Sequence, residues 1–187
     1  IIPALLAKKF DVIIGVMSIT PQRNLTVNFT APYAHSGQIM AANKKLAGNY
    51  TTMDEFNKAS VTIACRRGAT PCKAAQKLFP KSTLRQFDDD AQAFQEVVNG
   101  NAHAMISSAP KPSFWSEAYP NEVFVALDGK KLTRGNEAFA LRKGDMDAMN
   151  FFSNWILVNA SSGWLEERHS FWFKDRSGWK DMVKLEQ

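Results

Sequence analysis

The run Phe10-Asp11-Val12-Ile13-Ile14-Gly15-Val16-Met17-Ser18-Ile19-Thr20-Pro21-Gln22-Arg23 decides how this chain is read. Val12 to Ile14 has the length and β-branched content of a buried strand, and a strand is predicted over Asp11–Met17. Gly15 lets the backbone turn tightly or another group come close. Thr20-Pro21 then opens a helix, with threonine at the N-cap and proline at the first helical position. Arg23 falls in the first turn. Free amides, a helix N-terminus and a guanidinium would converge on one point, where an anion belongs. A carboxylate is the expected guest.

Composition places the chain among globular proteins. It has 187 residues, 45% apolar and 22% charged, enough for one large domain or two small ones. No apolar run approaches the ~20 residues a membrane helix needs. The net charge of +5 raises a nucleic-acid partner. The basic residues argue against it: they come in scattered pairs (Lys8-Lys9, Lys44-Lys45, Arg66-Arg67, Lys130-Lys131) broken by acids such as Asp88-Asp89-Asp90. No basic stripe with interleaved aromatics forms, so no nucleic-acid partner is expected. The histidines, His35, His103 and His169, are dispersed, and with Cys65 and Cys72 they give no metal-ligand spacing. Neither metal nor cofactor is expected. The cysteines can form a disulfide in an oxidising compartment or remain two buried thiols; both readings stay open.

Along the chain, helical and strand patterns alternate, which argues α/β with largely parallel sheets. Ile1–Ala7 reads as a helix end and Gln38–Asn43 as a second strand. Thr52-Met53-Asp54-Glu55 is a capping box. Val61–Cys65 is a buried strand running into Arg66-Arg67-Gly68-Ala69-Thr70-Pro71, which repeats the opening logic of strand, glycine, threonine N-cap and proline. Two such corners on different sheets favour a two-lobed ligand binder, since ligands sit at the carboxyl ends of strands in open α/β sheets. Asp89 or Asp90 caps a helix carrying Phe94, Val97 and Val98 that closes at Gly100. Ala104-Met105-Ile106 and Val123–Leu127 are strands, and Ala138-Phe139-Ala140-Leu141 reads as a return crossing. Asp145 caps a helix bearing Met149, Phe152, Trp155 and Ile156, and a last helix spans Trp164 to Trp172. The tryptophans Trp155, Trp164, Trp172 and Trp179 are read as core.

Extended through Asn28-Phe29-Thr30-Ala31-Pro32-Tyr33, the opening run resembles the family-3 solute-binding proteins of bacterial amino-acid ABC importers, whose consensus reads like FDVIIGGMSITPERAKVVDFSDPYY. The likeness is dense from Ile2 to Tyr33. It continues more loosely through Asp88–Gly100, Glu137–Asp145 and Gly163-Trp164-Leu165. It implies a two-lobed, type II periplasmic-binding-protein-like α/β fold with a hinge. Lobe 1 would comprise residues 1–35 and 142–187, and lobe 2 residues 36–141 with the crossings at its ends. It also implies a further strand–helix–strand unit and a signal peptide ahead of Ile1. Without that unit lobe 1 would expose a sheet edge, which a completing chain or a strand-swapped dimer would cover.

The resemblance assigns roles residue by residue. Arg23 would clamp a ligand carboxylate, Ser18 would donate its hydroxyl and amide to it, and Val16 would contribute backbone alone. Gly68, Ala69 and Thr70 would close on the ligand from lobe 2. Ser108 stands where amino-acid binders end the corresponding strand in an aspartate that pairs with the ligand's α-ammonium. Either another acid substitutes or the ligand is not a standard α-amino acid. Glu137 is one substitute, against the plainer reading of a solvent-facing acid. His103 reads as structural, and Tyr33 as lining the cleft or bracing the crossing.

The resulting expectation is a periplasmic, or extracellular and membrane-attached, binding protein. It would take a small carboxylate-bearing ligand and deliver it to an ABC permease, with no catalytic residues. A cyclohexadienyl-dehydratase-like enzyme on the same fold is the alternative, as is the sensing domain of a receptor kinase. Asn-x-Ser/Thr triplets at Asn24, Asn28, Asn49 and Asn159 raise the ionotropic glutamate receptors, which share the fold. Membrane spans interrupt those receptors inside the second lobe. No apolar insertion occurs here between Ala41 and Cys65, so the importer reading is preferred.

Overall fold

A computed structural model describes residues 1–175. In chain order the elements are α1 (Ile2–Leu6), β1 (Val12–Ile13), α2 (Pro21–Asn24), β2 (Val27–Phe29), β3 (Ala34–Asn43), α3 (Lys44–Ala47) and α4 (Met53–Phe56). Then come β4 (Thr62–Arg66), α5 (Thr70–Leu78), β5 (Thr83–Phe87), α6 (Asp90–Val98), β6 (Ala104–Ser108) and α7 (Lys111–Ala118). Last are β7 (Val123–Val125), β8 (Thr133–Glu137), β9 (Ala140–Arg142), α8 (Met146–Ser161) and α9 (Trp164–His169). The chain divides into unit 1, Ile1–His35 with Asn136–Gln187, and unit 2, Ser36–Gly135. The segment Ala138–Leu141, expected as a crossing, lies wholly inside unit 1.

Unit 1 holds a three-stranded sheet in the order β1-β9-β2, with β9 antiparallel to both neighbours. The strand expected over Asp11–Met17 pairs only at Val12–Ile13. β9 is just three residues long, and beyond Ile13 the chain turns away through Gly15. Leu5, Ile13, Met17, Val27 and Ala140 form the core, with Ile2, Phe10 and Phe29 packed against it. Arg142 ties this layer together, its guanidinium donating to the carbonyls of Leu5 and Phe10 and to the Asp11 carboxylate. Charge-assisted bonds of this kind stabilise more than neutral ones. Asp145 caps α8 as expected, accepting from the Ala148 amide at 3.0 Å.

Trp155 and Trp164 are not core. They are 39% and 42% exposed and meet each other edge to face, while Trp172 is 46% exposed. Trp179 lies outside the described residues.

Unit 2 is a mixed sheet, order β5-β4-β6-β3-β7, with β8 pairing β3 off that path. β4 is parallel to β5 and to β6, as βαβ crossovers through α5 and α6 require. β3 is antiparallel to β6 and β7 and lies between them. The expectation of largely parallel sheets therefore holds for the β5-β4-β6 half alone. β3 is buried from Gly37 through Asn43 apart from its first residues, and Met40, Ala42, Ile63, Phe56, Ala104 and Ile106 pack together around it. On another side Ala64, Phe94, Val97 and Met105 form a second cluster, with Trp115 stacked on Phe94.

Local signals are met closely in this unit. Thr52 and Glu55 form the capping box, and Asp89 caps α6 by accepting from the Gln92 amide. Gly100 takes φ +76° just beyond the α6 cap. Cys65 and Cys72 are disulfide-bonded, their Cα atoms 5.3 Å apart, which resolves the alternative the sequence left open.

Candidate functional site

In unit 1 the opening motif folds into a compact corner. Thr20 is the N-cap of α2, and its Oγ1 accepts from the Arg23 amide at 3.2 Å. Pro21 follows at the first helical position, where a missing N–H costs nothing. The helix is a single turn, too short to gather a useful dipole, and its cap already uses the Arg23 amide. The Arg23 amide of the expected amide row is thus engaged within the helix cap. Arg23 Nη1 donates to the Ser18 carbonyl at 2.9 Å, which orients the fork.

Ser18 is anchored from its other side. The segment Met17–Ile19 lies antiparallel to Asn136–Ala138: the Ile19 amide donates to the Asn136 carbonyl and the Ala138 amide to the Met17 carbonyl. Ser18 and Glu137 face each other in this pairing, and Ser18 Oγ donates to Glu137 Oε1 at 3.2 Å. Both are deeply buried, at 5% and 1% exposure. Glu137 is thus no solvent-facing acid, and that reading is corrected. The Ser18 assignment changes in character as well. Its hydroxyl proton is directed to a carboxylate within the protein.

Val16 sits at φ +43°, and its amide donates to the Tyr33 phenolic oxygen at 3.1 Å. Tyr33 in turn rests on Phe139, ring centroids 5.2 Å apart, and its amide donates to the Glu137 carbonyl. Tyr33 thus braces the corner, one of the two roles read for it. Burial pushes its phenol above the usual range, and the Glu137 charge adds to that.

In unit 2 the residues assigned to ligand closure stand at one end of the sheet. Ala69, not Thr70, is the N-cap of α5, and no side chain caps that helix. Thr70 is the first helical residue, with Pro71 behind it, one position later than the Thr20-Pro21 pattern predicts. The shift frees the Thr70 hydroxyl from capping, and Thr70 Oγ1 accepts from Gln38 Nε2 at 3.3 Å. Gly68 takes φ +70°, and a side chain there would meet nothing nearby. Ser108 ends β6 opposite Gln38 in the β3 register. β4 and β6 run parallel, so the Gly68–Thr70 corner and Ser108 lie at the same carboxyl end, and Gln38, on β3 beyond β6, reaches Thr70 through its side chain. The disulfide fastens β4 to α5 directly behind this corner.

Sequence reasoning missed Gln38 and discounted Glu137. Each had a signal: a lone polar residue beside the apolar run Ile39–Ala42, and a lone acid beside Ala138–Leu141. His103 is structural, as read, its Nδ1 accepting from the Thr62 amide at 3.2 Å. Among the described residues no three His, Cys, Asp or Glu side chains group as a metal would need, and no helix is long and apolar enough to cross a membrane.

The chain belongs to the bacterial extracellular solute-binding proteins, family 3, whose family profile matches residues 1–175. It is 23% identical over 168 residues to a cyclohexadienyl dehydratase of Pseudomonas aeruginosa, covering 90% of this chain and 62% of that relative's length. Two solved structures are similar over most of the chain. An ancestral amino acid-binding protein, a precursor of cyclohexadienyl dehydratase, matches with TM-score 0.83 and 35% identity, covering 92% of this chain and 73% of that one. An ABC-transporter binding component from Wolinella succinogenes, complexed with lysine, matches with TM-score 0.86 and 32% identity, covering 96% and 76%. With the α/β layers described above, these likenesses identify the fold as the type II periplasmic-binding-protein-like one.

Proposed function

We propose that this chain is the binding component of an amino-acid-type ABC importer, working outside the cytoplasmic membrane and delivering its ligand to a membrane permease. The ligand is a small carboxylate-bearing molecule, an amino acid or a close relative. One observation carries this reading: Arg23, whose guanidinium is oriented by the Ser18 carbonyl and whose backbone is pinned by Thr20. An oriented guanidinium binds a carboxylate through two parallel charge-assisted bonds, at a modest entropic cost. Val16 and Ser18 complete the contacts of unit 1. In unit 2 the amides of Gly68 and Ala69, the Thr70 hydroxyl and Ser108 are the proposed contacts, with Gln38 holding Thr70. Family membership and the lysine-bound relative support the ligand class.

The test is a thermal-shift screen of the intact protein against amino acids and their deaminated analogues, repeated with Arg23→Ala. Ligand at 100 times its dissociation constant adds about 2.7 kcal/mol of stability. A shift with a carboxylate ligand that vanishes in Arg23→Ala is expected. A shift indifferent to Arg23 would sink the clamp.

A second reading, an enzyme resembling cyclohexadienyl dehydratase, is favoured by the buried Glu137 carboxyl and by the Pseudomonas relative. Such an elimination needs a general acid at the departing hydroxyl, and Glu137 is the candidate. Turnover of prephenate or arogenate that disappears in Glu137→Gln would establish it; no turnover by the wild type would exclude it.

A further inference from the structure

We propose that unit 2 carries a further binding site, for a neutral, densely hydroxylated small molecule such as a mono- or disaccharide, at the end of its sheet opposite Ser108. The site does not involve Arg23 and is independent of the function proposed above. A cleft of about 350 Å³ opens between the β3–α3 junction, the C-terminal end of α6 and the segment leading into β7. Small-molecule pockets occupy ~300–1,000 Å³, so this one suits a small ligand. Ser108 pairs with Gln38 on β3, and Asn43, which lines the cleft, ends the same strand. At the rise of an extended strand the two positions on β3 are about 16 Å apart. The walls are tied to one another. Asn43, 4% exposed, donates its Nδ2 to the Val97 carbonyl of α6 at 2.7 Å, while its Oδ1 accepts from the Lys45 and Leu46 amides of α3. The Lys44 amide donates to the Glu122 carbonyl at 2.8 Å and the Lys44 ammonium to the Pro120 carbonyl, which fastens the segment before β7 to α3. A cleft fixed in this way needs little ordering on binding.

Polar side chains dominate the lining. The Lys45 ammonium, the Asn121 carboxamide and the Glu122 carboxylate make no hydrogen bond or ion pair with the described residues. Asn99 is oriented by Gln95, whose Nε2 donates to its Oδ1 at 2.8 Å, and its own amide hydrogens are not used within the described residues. Lys45 and Glu122 cancel in charge, so the lining as a whole is neutral. Both are exposed, and ion pairs formed at exposed positions contribute little, so a charged ligand is not selected here. A hydroxyl both donates and accepts. Neighbouring hydroxyls on one ligand can give to Glu122 and receive from Lys45 and the asparagines, and bonds to ionised groups are the stronger kind. Leu46 and Val98 add an apolar strip suited to the C–H face of a sugar ring.

The test is a heteronuclear NMR titration of the intact protein in an Arg23→Ala background, which takes the unit 1 clamp out of the readout. The probes are D-glucose, D-galactose, maltose and trehalose, with γ-aminobutyrate and butyrate as charged controls. At least one saccharide should shift the Gly100 backbone amide and the Asn99 and Asn121 side-chain amides saturably, with a dissociation constant in the millimolar range. Lys45→Met and Glu122→Gln should each raise that constant by about fivefold or more. Each variant's own spectrum reports its fold, and Asn121→Ala, held to the same threshold, replaces either one that does not fold. No saturable shift with any saccharide, equal or tighter binding of either charged control, or a smaller loss in either variant would overturn the inference. None of these outcomes bears on the Arg23 reading, which stands or falls with carboxylate binding by the wild type.

Discussion

The phenolic oxygen of Tyr33 accepts the Val16 amide at 3.1 Å and so holds a β-branched residue at φ +43°. That conformation costs a branched side chain ~1–2 kcal/mol, and the surrounding contacts have to sustain it. Val16→Gly should relieve the strain and, after the entropy that glycine loses on folding, leave the protein about as stable or up to ~1 kcal/mol more stable. Tyr33→Phe should lower stability by ~1 kcal/mol by removing the acceptor. Urea unfolding of both variants checks this. A clear destabilisation by Val16→Gly would show that the Val16 side chain, and not its backbone, matters.

Arg23→Lys discriminates charge from geometry. Lysine keeps the positive charge but lacks the planar fork that matches a carboxylate. Affinity for a carboxylate ligand should fall by about tenfold in Arg23→Lys and by more in Arg23→Ala, measured by calorimetry. Equal affinities for Lys and Arg at this position would reduce the clamp to a point charge.

The Cys65–Cys72 disulfide closes a short loop, with a sequence separation of 7, that contains the Gly68–Thr70 corner. Chain-entropy reasoning assigns such a loop roughly 2–3 kcal/mol. Reduction, or Cys65→Ala with Cys72→Ala, should lower the unfolding free energy by about that amount. Ligand affinity should weaken too if Thr70 contributes as proposed. Unfolding curves with and without reductant, each with and without ligand, separate the two effects.

Stability should decline in acid through two groups in unit 2. Glu55 is held below the ordinary carboxylate range by the Thr51 amide first, then by the Thr52 amide and hydroxyl. Burial holds His103 below its ordinary imidazole range, and its Nδ1 accepts from Thr62 in the neutral form. In both the folded state releases the proton more readily than the unfolded chain. Each contribution is therefore present above the unfolded value and is lost as pH falls through the folded one. Urea midpoints should drop just below pH ~6.5 for His103 and below ~4.3 for Glu55. The first step should disappear in His103→Gln and the second in Glu55→Gln. A wild-type profile flat across the upper window would refute the histidine assignment.

Much of this molecule was legible from local rules. Thr20-Pro21, the Thr52–Glu55 box, the cap at Asp89, the glycine at 100 and the Asp145 helix all stand where residue chemistry puts them. Each is decided within one turn of helix, where a side chain meets its own neighbouring backbone. Thr70 shows the limit of the method. Its Thr-Pro pair looks like the one at Thr20, yet Ala69 takes the cap and the Thr70 hydroxyl bonds to Gln38, 32 residues away in sequence. Strand direction escaped for a related reason. An apolar run shows that a strand is buried but not which way its neighbours run, and β3 enters between β6 and β7 against both. The tryptophans follow the same rule, because spacing along a helix says which residues share a face and not what covers it.

By itself the sequence determined the fold class and the family, an α/β member of the family-3 solute-binding proteins. The α/β class is carried by short-range patterns, β-branched runs and caps, and the family by the likeness of the run from Ile2 to Tyr33 to its consensus. Tertiary structure alone decided what Ser18, Glu137 and Tyr33 do. Glu137 lies 119 residues from Ser18, and only antiparallel pairing of Met17–Ile19 with Asn136–Ala138 buries the acid against the hydroxyl. Burial then takes the Glu137 carboxyl out of water, where it accepts from the Ser18 hydroxyl.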